Sequence, residues 1–185
     1  MTKTEARKLA KACRAAVDLH TVGHAMAGVL FTLPAWQHAD TVLAFASMPD
    51  EPDTADILRQ ALVEGKRLLL PRVLSRTEMD WVEITALSQL QPGAYGILEA
   101  PASLPAFDTA HLGDGALALI PCLAASPDGV RLGRGGGYYD RFLAHYKGAG
   151  LLLCPEALLL DELPCDDWDA RFAPENILTE KGILR

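Results

Sequence analysis

Apolar positions along the chain follow two periods. Thr41 to Ser47 (TVLAFAS), Arg67 to Val73 (RLLLPRV), Ala116 to Pro121 (ALALIP) and Gly150 to Cys154 are short, nearly continuous apolar runs. That is the pattern of strands buried on both faces. Between the first two runs, Ile57, Leu58, Ala61 and Leu62 recur at helical spacing, with Asp53 or Thr54 as the capping candidate and Gly65 as the stop. A strand, a loop, a helix and a second strand within about thirty residues have the length of a parallel crossover unit. The spacing therefore predicts an α/β sheet.

Three further helices are expected. Thr2 to Asp18 is rich in Ala, Lys, Arg and Glu and lacks Gly and Pro; His24 to Leu33 stops at Pro34; Tyr138 to His145 closes the set. Met79 to Ile84 alternates as an exposed or edge strand does, the turn-rich segment from Gln91 to Asp114 reads as surface loop, and the tail from Leu163 reads as irregular. No internal repeat or low-complexity linker divides the chain, so residues 1–185 are expected to form a single domain.

Composition narrows the partners. The chain carries 17 basic against 24 acidic side chains, a formal charge of −7, which works against long-range attraction to nucleic acid or to an anionic membrane. An anionic small molecule would need a local cationic pocket. Lys3, Glu5 and Arg7 interrupt any secretory signal at the start, and Pro121, Pro155 and Glu156 break the longest apolar stretches. Cys13, Cys122, Cys154 and Cys165 are scattered without a C-x-x-C pair, as reduced structural thiols are. A cytoplasmic protein with small-molecule partners, no nucleic acid and no membrane is expected, acting as a monomer.

Candidate chemistry concentrates in SPDGVRLGRGGGYYDRF, Ser126 to Phe142, between a buried strand and a helix. Its glycines let backbone N–H groups turn inward toward an anion, and Arg131 and Arg134 add fixed charge and forked donors for phosphate oxygens. It is neither a Walker A loop, for want of the Lys-Ser/Thr ending, nor a dinucleotide fingerprint, since Tyr138 stands where the last glycine belongs. Asp140 follows the loop and beside a bound triphosphate could hold Mg²⁺. Lys3, Arg7, Lys11 and Arg14 form a row at i, i+4, i+8 and i+11 on the first helix, which spacing alone assigns to solvent. Asp50, Glu51 and Asp53 sit past the end of the first strand, at the edge where open α/β sheets bind ligands, and Glu51, ahead of Pro52, is free of a capping role. His20 and His24 lack the Glu of a zinc helix, and no Ser-His-Asp signature is present.

These residues also carry a resemblance. Arg131-Leu132-Gly133-Arg134-Gly135-Gly136-Gly137-Tyr138-Tyr139-Asp140-Arg141, the Lys3 and Arg7 pair, Ser47-Met48-Pro49-Asp50-Glu51-Pro52-Asp53-Thr54, the segment from Gly65-Lys66 to Pro71-Arg72, Gly96-Ile97-Leu98-Glu99, and Leu163-Pro164 with Trp168-Asp169 occur in the order found in the 5-formyltetrahydrofolate cyclo-ligases. The chain resembles that family nearly end to end. The resemblance implies an open, largely parallel twisted sheet flanked by helices on both faces, NagB/CoA-transferase-like. It also implies ATP- and Mg²⁺-dependent conversion of 5-formyltetrahydrofolate to 5,10-methenyltetrahydrofolate with release of ADP and phosphate. By this analogy Lys3, Arg7, Arg131, Leu132, Gly133, Arg134, Gly135, Gly136, Gly137, Tyr138 and Tyr139 bind ATP, and Asp140 and Asp169 hold Mg²⁺. Glu51 receives the pterin, with Ala46, Arg134 and Tyr138 touching the folate and Tyr95 stacking on it. Ala6, Ala125, Ser126, Gly136 and Ala157 depart from common family residues. Ala125, Ser126 and Ala157 keep open a paralogue acting on another small amide, and a non-catalytic folate-binding protein is a further alternative.

Overall fold

The computed structural model describes residues 1–93 and 97–184. Helices α1 (Lys3–Arg14), α2 (Leu19–Thr32) and α3 (Pro34–His38) lead into strand β1 (Thr41–Leu43), helix α4 (Ala55–Val63), and strands β2 (Arg67–Val73) and β3 (Met79–Ile84). Short strands β4 (Gln91–Pro92), β5 (Leu98–Glu99) and β6 (Ala106–Phe107) precede β7 (Ala116–Pro121). The hairpin β8 (Ala124–Ala125) and β9 (Arg131–Leu132), helix α5 (Tyr138–Leu143), β10 (Ala149–Leu153), β11 (Ile177–Thr179) and β12 (Gly182–Ile183) complete the order.

Eight strands form one sheet in the order β12-β11-β10-β7-β1-β2-β3-β6. The pairs from β11 through β10, β7 and β1 to β2 are parallel, and the outer pairings are antiparallel. Continuous apolar runs are needed because both faces are covered. Val42, Leu68, Leu70, Leu117, Leu119 and Leu151 pack against Met26, Leu30, Trp36 and Ile57 from α2, α3 and α4. The alternate residues Leu43, Leu69, Ala118, Ile120 and Leu152 pack on the opposite face, toward Tyr139, Phe142 and Leu143 of α5. Each fully buried Leu contributes about 2 kcal/mol relative to an exposed one.

Several boundaries differ from the sequence expectations, each for a local reason. Helix α2 begins at Leu19, not near His24, because Asp18 caps it, accepting from the Thr21 N–H at 3.2 Å and the Thr21 hydroxyl at 2.7 Å. Pro34 does end α2, but it also opens α3, where its missing N–H is no loss. Strand β1 stops at Leu43 because the Thr54 hydroxyl donates to Phe45 O (2.6 Å) and accepts from Ser47 N–H (3.1 Å), which draws the chain out of the ladder. Thr54 is thereby taken up, and Asp53 instead accepts from the first helical N–H, that of Ala55, at 2.8 Å. β3 is bordered by β6 only at Trp81 and Val82, and the supposed surface loop from Gln91 contributes β4, β5 and β6. The tail expected to be irregular supplies β11, whose buried Ile177 and Leu178 extend the parallel sheet beside β10. Its three-residue length hides it from periodicity.

The tail also anchors the segment after β7. Phe172 N–H donates to Gly129 O at 2.9 Å in the turn of the β8–β9 hairpin, beside a bridge between Val130 and Arg171. Gly129 has φ +89°, and a Cβ there would lie 1.7 Å from Phe172 O. Gly129→Ala is therefore expected to destabilise the protein by at least about 2 kcal/mol, from left-handed strain and backbone overlap together. Denaturant unfolding checks this; a midpoint equal to that of the unaltered chain would refute it.

Candidate active site

Connections from β1 and β7 set the location. The two strands are neighbours, yet β1 leads through α4 to β2 on one side while β7 leads through α5 to β10 on the other. Their loops separate at the carboxyl edge and leave a crevice, the place where open α/β sheets bind ligands. The loop after β1 carries Asp50 and Glu51; the segment after β7 carries the glycine-rich run.

The first loop is held tightly. Glu51 N–H donates to Met48 O at 2.9 Å, and Met48 N–H donates to Glu51 Oε2 at 3.0 Å. Asp53 N–H donates to Leu19 O at 3.1 Å, and Gly23 of α2 lets the loop approach so closely that a Cβ would lie 2.3 Å from Asp53 N and O. Glu51 ends up 8% exposed, a carboxylate with one oxygen on a backbone N–H and the other facing Arg134.

Helix α1 reaches the same crevice from the other side. Ala6 and Ala10 are fully buried against Leu123, Ala124 and Leu132, and small side chains there bring the helix close. Lys3, Arg7 and Arg14 lie on the same face as these alanines, at offsets of three, four, seven and eleven from Lys3. The solvent-facing row expected from spacing is thus corrected: only Lys11 is exposed, whereas Arg14 is 3% exposed and Lys3 and Arg7 are half-buried. Thr2 fixes the helix start through a reciprocal cap with Glu5.

A cavity of about 350 Å³ opens where α1 meets the glycine-rich segment. Lys3, Arg7, Arg131, Leu132, Gly133, Gly135, Gly137, Asp140 and Asp169, all expected from sequence, line it, together with Arg141, Ala144 and Trp168, which were not assigned a role. Arg7 Nε donates to Gly133 O at 3.0 Å. Lys3 Nζ lies 2.5 Å from Asp169 and 2.7 Å from Asp166. Arg131, 8% exposed, bonds Pro121 O and Asp140 Oδ1, each at 3.0 Å, while its Nε is a buried donor without a partner among the described residues. Lys3, Arg7, Arg131 and Arg141 against Asp140, Asp169 and the Asp166 carboxylate on Lys3 leave a local excess of one positive charge. An anion is the ligand this arrangement suits, with forked guanidinium donors matched to phosphate oxygens.

Arg134, Gly136, Tyr138 and Tyr139 lie outside that lining. Arg134 turns toward the β1 loop: Nε and one Nη donate to Glu51 Oε1 at 3.2 and 3.1 Å, and the guanidinium bonds both Asp50 oxygens at 2.6 and 3.2 Å. Burial alone would lower the Arg134 pKa, but the Asp50 hydrogen bond and the Glu51 and Asp50 charges raise it. For Asp50 burial acts upward and is outweighed by the Arg134 hydrogen bond and charge, which hold the carboxyl below its usual value. Burial likewise opposes, and hydrogen bonds override, at Lys3, raised by Asp166 and Asp169, and at Asp169, lowered by the Asp166 N–H and Lys3. All four groups are therefore charged near neutral pH.

The Tyr138 hydroxyl donates to Ser75 O at 2.8 Å, fastening the glycine segment to the β2–β3 turn. Tyr139 points inward, edge-on to Trp81 at 6.4 Å with Arg131 over its ring at 5.8 Å, and burial pushes its phenol far above the ordinary value. Ala46 is half-buried on the chain between β1 and the Glu51 loop. Tyr95 lies outside the described residues. Arg141 was visible in the quoted motif and Trp168 beside Asp169; Arg14, buried at the junction of the two loops, had no sequence signal to separate it from Lys11.

Comparison with known proteins shows the family and the fold. The model of the 5-formyltetrahydrofolate cyclo-ligase family matches residues 2–180. A protein of Mycolicibacterium smegmatis named 5-formyltetrahydrofolate cyclo-ligase is 31% identical over 153 residues, covering 78% of this chain and 76% of its own. One of the same name from Escherichia coli K12 is 31% identical over 153 residues, covering 80% of this chain and 83% of its own. The solution structure of 5,10-methenyltetrahydrofolate synthetase from Aquifex aeolicus aligns at a TM-score of 0.83 and 26% identity, covering 100% of this chain and 93% of that one. With the family match extending over almost all of the sequence and the same fold in a relative of that activity, the chain belongs to the 5-formyltetrahydrofolate cyclo-ligase family.

Proposed function

We propose that this chain, as one cyclo-ligase domain, uses ATP and Mg²⁺ to convert 5-formyltetrahydrofolate to 5,10-methenyltetrahydrofolate, releasing ADP and phosphate. The observation that carries the reading is the cationic cavity, where buried Arg131 keeps an Nε that is unpartnered among the described residues, beside Lys3 and Arg7. Arg134 then lies between that cavity's loop and the Glu51 carboxylate.

In this reading the triphosphate occupies the cavity and the pterin meets Glu51, whose carboxylate accepts from pterin N–H donors. The formyl oxygen attacks the terminal phosphorus, and the bond to ADP breaks. N10 then attacks the activated formyl carbon, the carbon–oxygen bond breaks with departure of phosphate, and N10 gives up its proton. Neither step needs a protein nucleophile, so catalysis rests on orientation and on charge aimed at the moving phosphoryl group. Lys3, Arg7 and Arg131 supply that charge from rigid positions, each already held by a carbonyl or carboxylate.

Asp140 and Asp169 both line the cavity, and among the described residues no cluster of three acidic, His or Cys ligands forms an all-protein cage. Two carboxylates beside a phosphate site fit Mg²⁺, which takes one or two protein carboxylates and completes its octahedron with phosphate and water. When bound there, the ion would neutralise phosphate charge.

Absorbance of the methenyl product is expected to rise only when ATP, Mg²⁺ and 5-formyltetrahydrofolate are all present; no turnover by folded protein would refute the proposal. Arg7→Ala should raise KM for ATP by about tenfold or more while leaving KM for the folate nearly unchanged, because one charge-assisted contact is removed. Equal changes in both constants would count against Arg7 as a nucleotide ligand. For Glu51→Gln the expected loss is in folate affinity, about tenfold or more by calorimetry, since an amide has one acceptor atom where the carboxylate has two. Folate affinity equal to that of the unaltered chain would remove Glu51 from the site.

A further inference from the structure

Arg14 stands at the last turn of α1, 3% exposed, and pairs with no carboxylate among the described residues. Its guanidinium is spent on three backbone carbonyls instead. Nε donates to Leu123 O at 3.0 Å, one terminal nitrogen to Cys122 O and the other to Asp50 O. Those carbonyls belong to two different loops. Cys122 and Leu123 follow β7, and Asp50 adjoins Glu51 in the loop after β1. A buried cation without a counter-charge is unfavourable unless its hydrogen bonds are satisfied, and the planar fork of Arg is the side chain that can span three such acceptors at once.

The two ends of this bridge are not equally secure. Leu123 N–H also donates to Leu132 O at 2.7 Å within the hairpin, so that side is fixed independently. Asp50 lies between anchors: Asp53 N–H fixes the loop's far end on Leu19 O, and Thr54 ties its base to Phe45 and Ser47. Among the described residues, however, the backbone at Asp50 itself is held to the rest of the fold by Arg14 alone, the Glu51-to-Met48 bond being internal to the loop and Arg134 reaching side chains. Lys3 and Arg7 enter the cationic cavity from the same helix, about 16 Å and about 10 Å along the axis from Arg14 at its far end. One rigid element therefore reaches the cationic cavity and the carboxylate loop together.

We propose that Arg14 is a positioning residue: it ties the Glu51 loop to the carboxyl end of β7 and so sets where the second substrate lies relative to the nucleotide. Its consequence for the folate rests on the functional reading above; its anchoring role does not. Lysine keeps the charge but places its three donors on one nitrogen, which cannot meet acceptors set around the edges of a planar fork, so Arg14→Lys isolates the fork. Hydrogen–deuterium exchange on the full chain should show residues 48–53 of Arg14→Lys exchanging about tenfold faster or more, with β2 and β10 unchanged. Lys11→Gln, on the exposed face of the same helix, should match the unaltered protein. In turnover assays, KM for 5-formyltetrahydrofolate should rise about tenfold in Arg14→Lys with KM for ATP unchanged.

Unaltered exchange in residues 48–53 would overturn the proposal, and so would an Arg14→Lys chain that does not fold, because the role would then be core stability. Parallel increases in both KM values would overturn it as well. The exchange comparison uses no substrate, so its failure sinks the anchoring role alone, whereas inactivity of the unaltered chain sinks the functional reading alone.

Discussion

Everything at the candidate site depends on β1 and β7 lying side by side while their onward connections leave in opposite directions. Both strands are buried on both faces, so neither connection can cross the crevice without exposing core, and two loops must part at the carboxyl edge. Into that gap the fold brings a carboxylate loop from one side and a glycine-rich segment from the other. Helix α1 bridges them because Ala6 and Ala10 are small enough to let it lie on the hairpin.

Net charge and site charge are separate quantities here. The chain is at −7, yet four cations gather around one cavity with two carboxylates. Pairing controls how much of that charge is available. Lys3 with Asp169, Arg131 with Asp140 and Arg134 with Glu51 are each within hydrogen-bond reach, so the cations are held in place while their repulsion is relieved. In the proposed reading an incoming phosphate would compete with these carboxylates, and a divalent cation would compensate them in turn. The contact between Arg134 and Glu51 also joins the two halves of the crevice directly, so a ligand that engages either residue alters the environment of the other.

The core strands, the crossover through α4 and the chemical character of the glycine segment were legible in local pattern. Val42 to Ala44, Leu68 to Leu70 and Leu117 to Ile120 are uninterrupted apolar runs, which a parallel sheet covered on both sides requires. What misled was weak or shared local signal. Ile177 and Leu178 form a strand only because β10 offers a free edge. The choice left open between Asp53 and Thr54 as cap falls to Asp53 because Phe45 O and Ser47 N–H take up Thr54. The row of cations on α1 reads as a solvated face until the alanines between them are seen to be buried.

The sequence by itself determined the α/β class, the short apolar runs that become the central strands and the residue types able to bind an anion, because these follow from backbone period and side-chain chemistry within a few residues. Only the tertiary structure decided which cations share a cavity, that Arg134 turns to Glu51, and that Arg14 is buried while Lys11 is not. These outcomes depend on contacts between residues far apart in the chain, such as Arg134 with Glu51 and Arg14 with Leu123. Local spacing carries no record of such distances; packing of the sheet and its helices sets them.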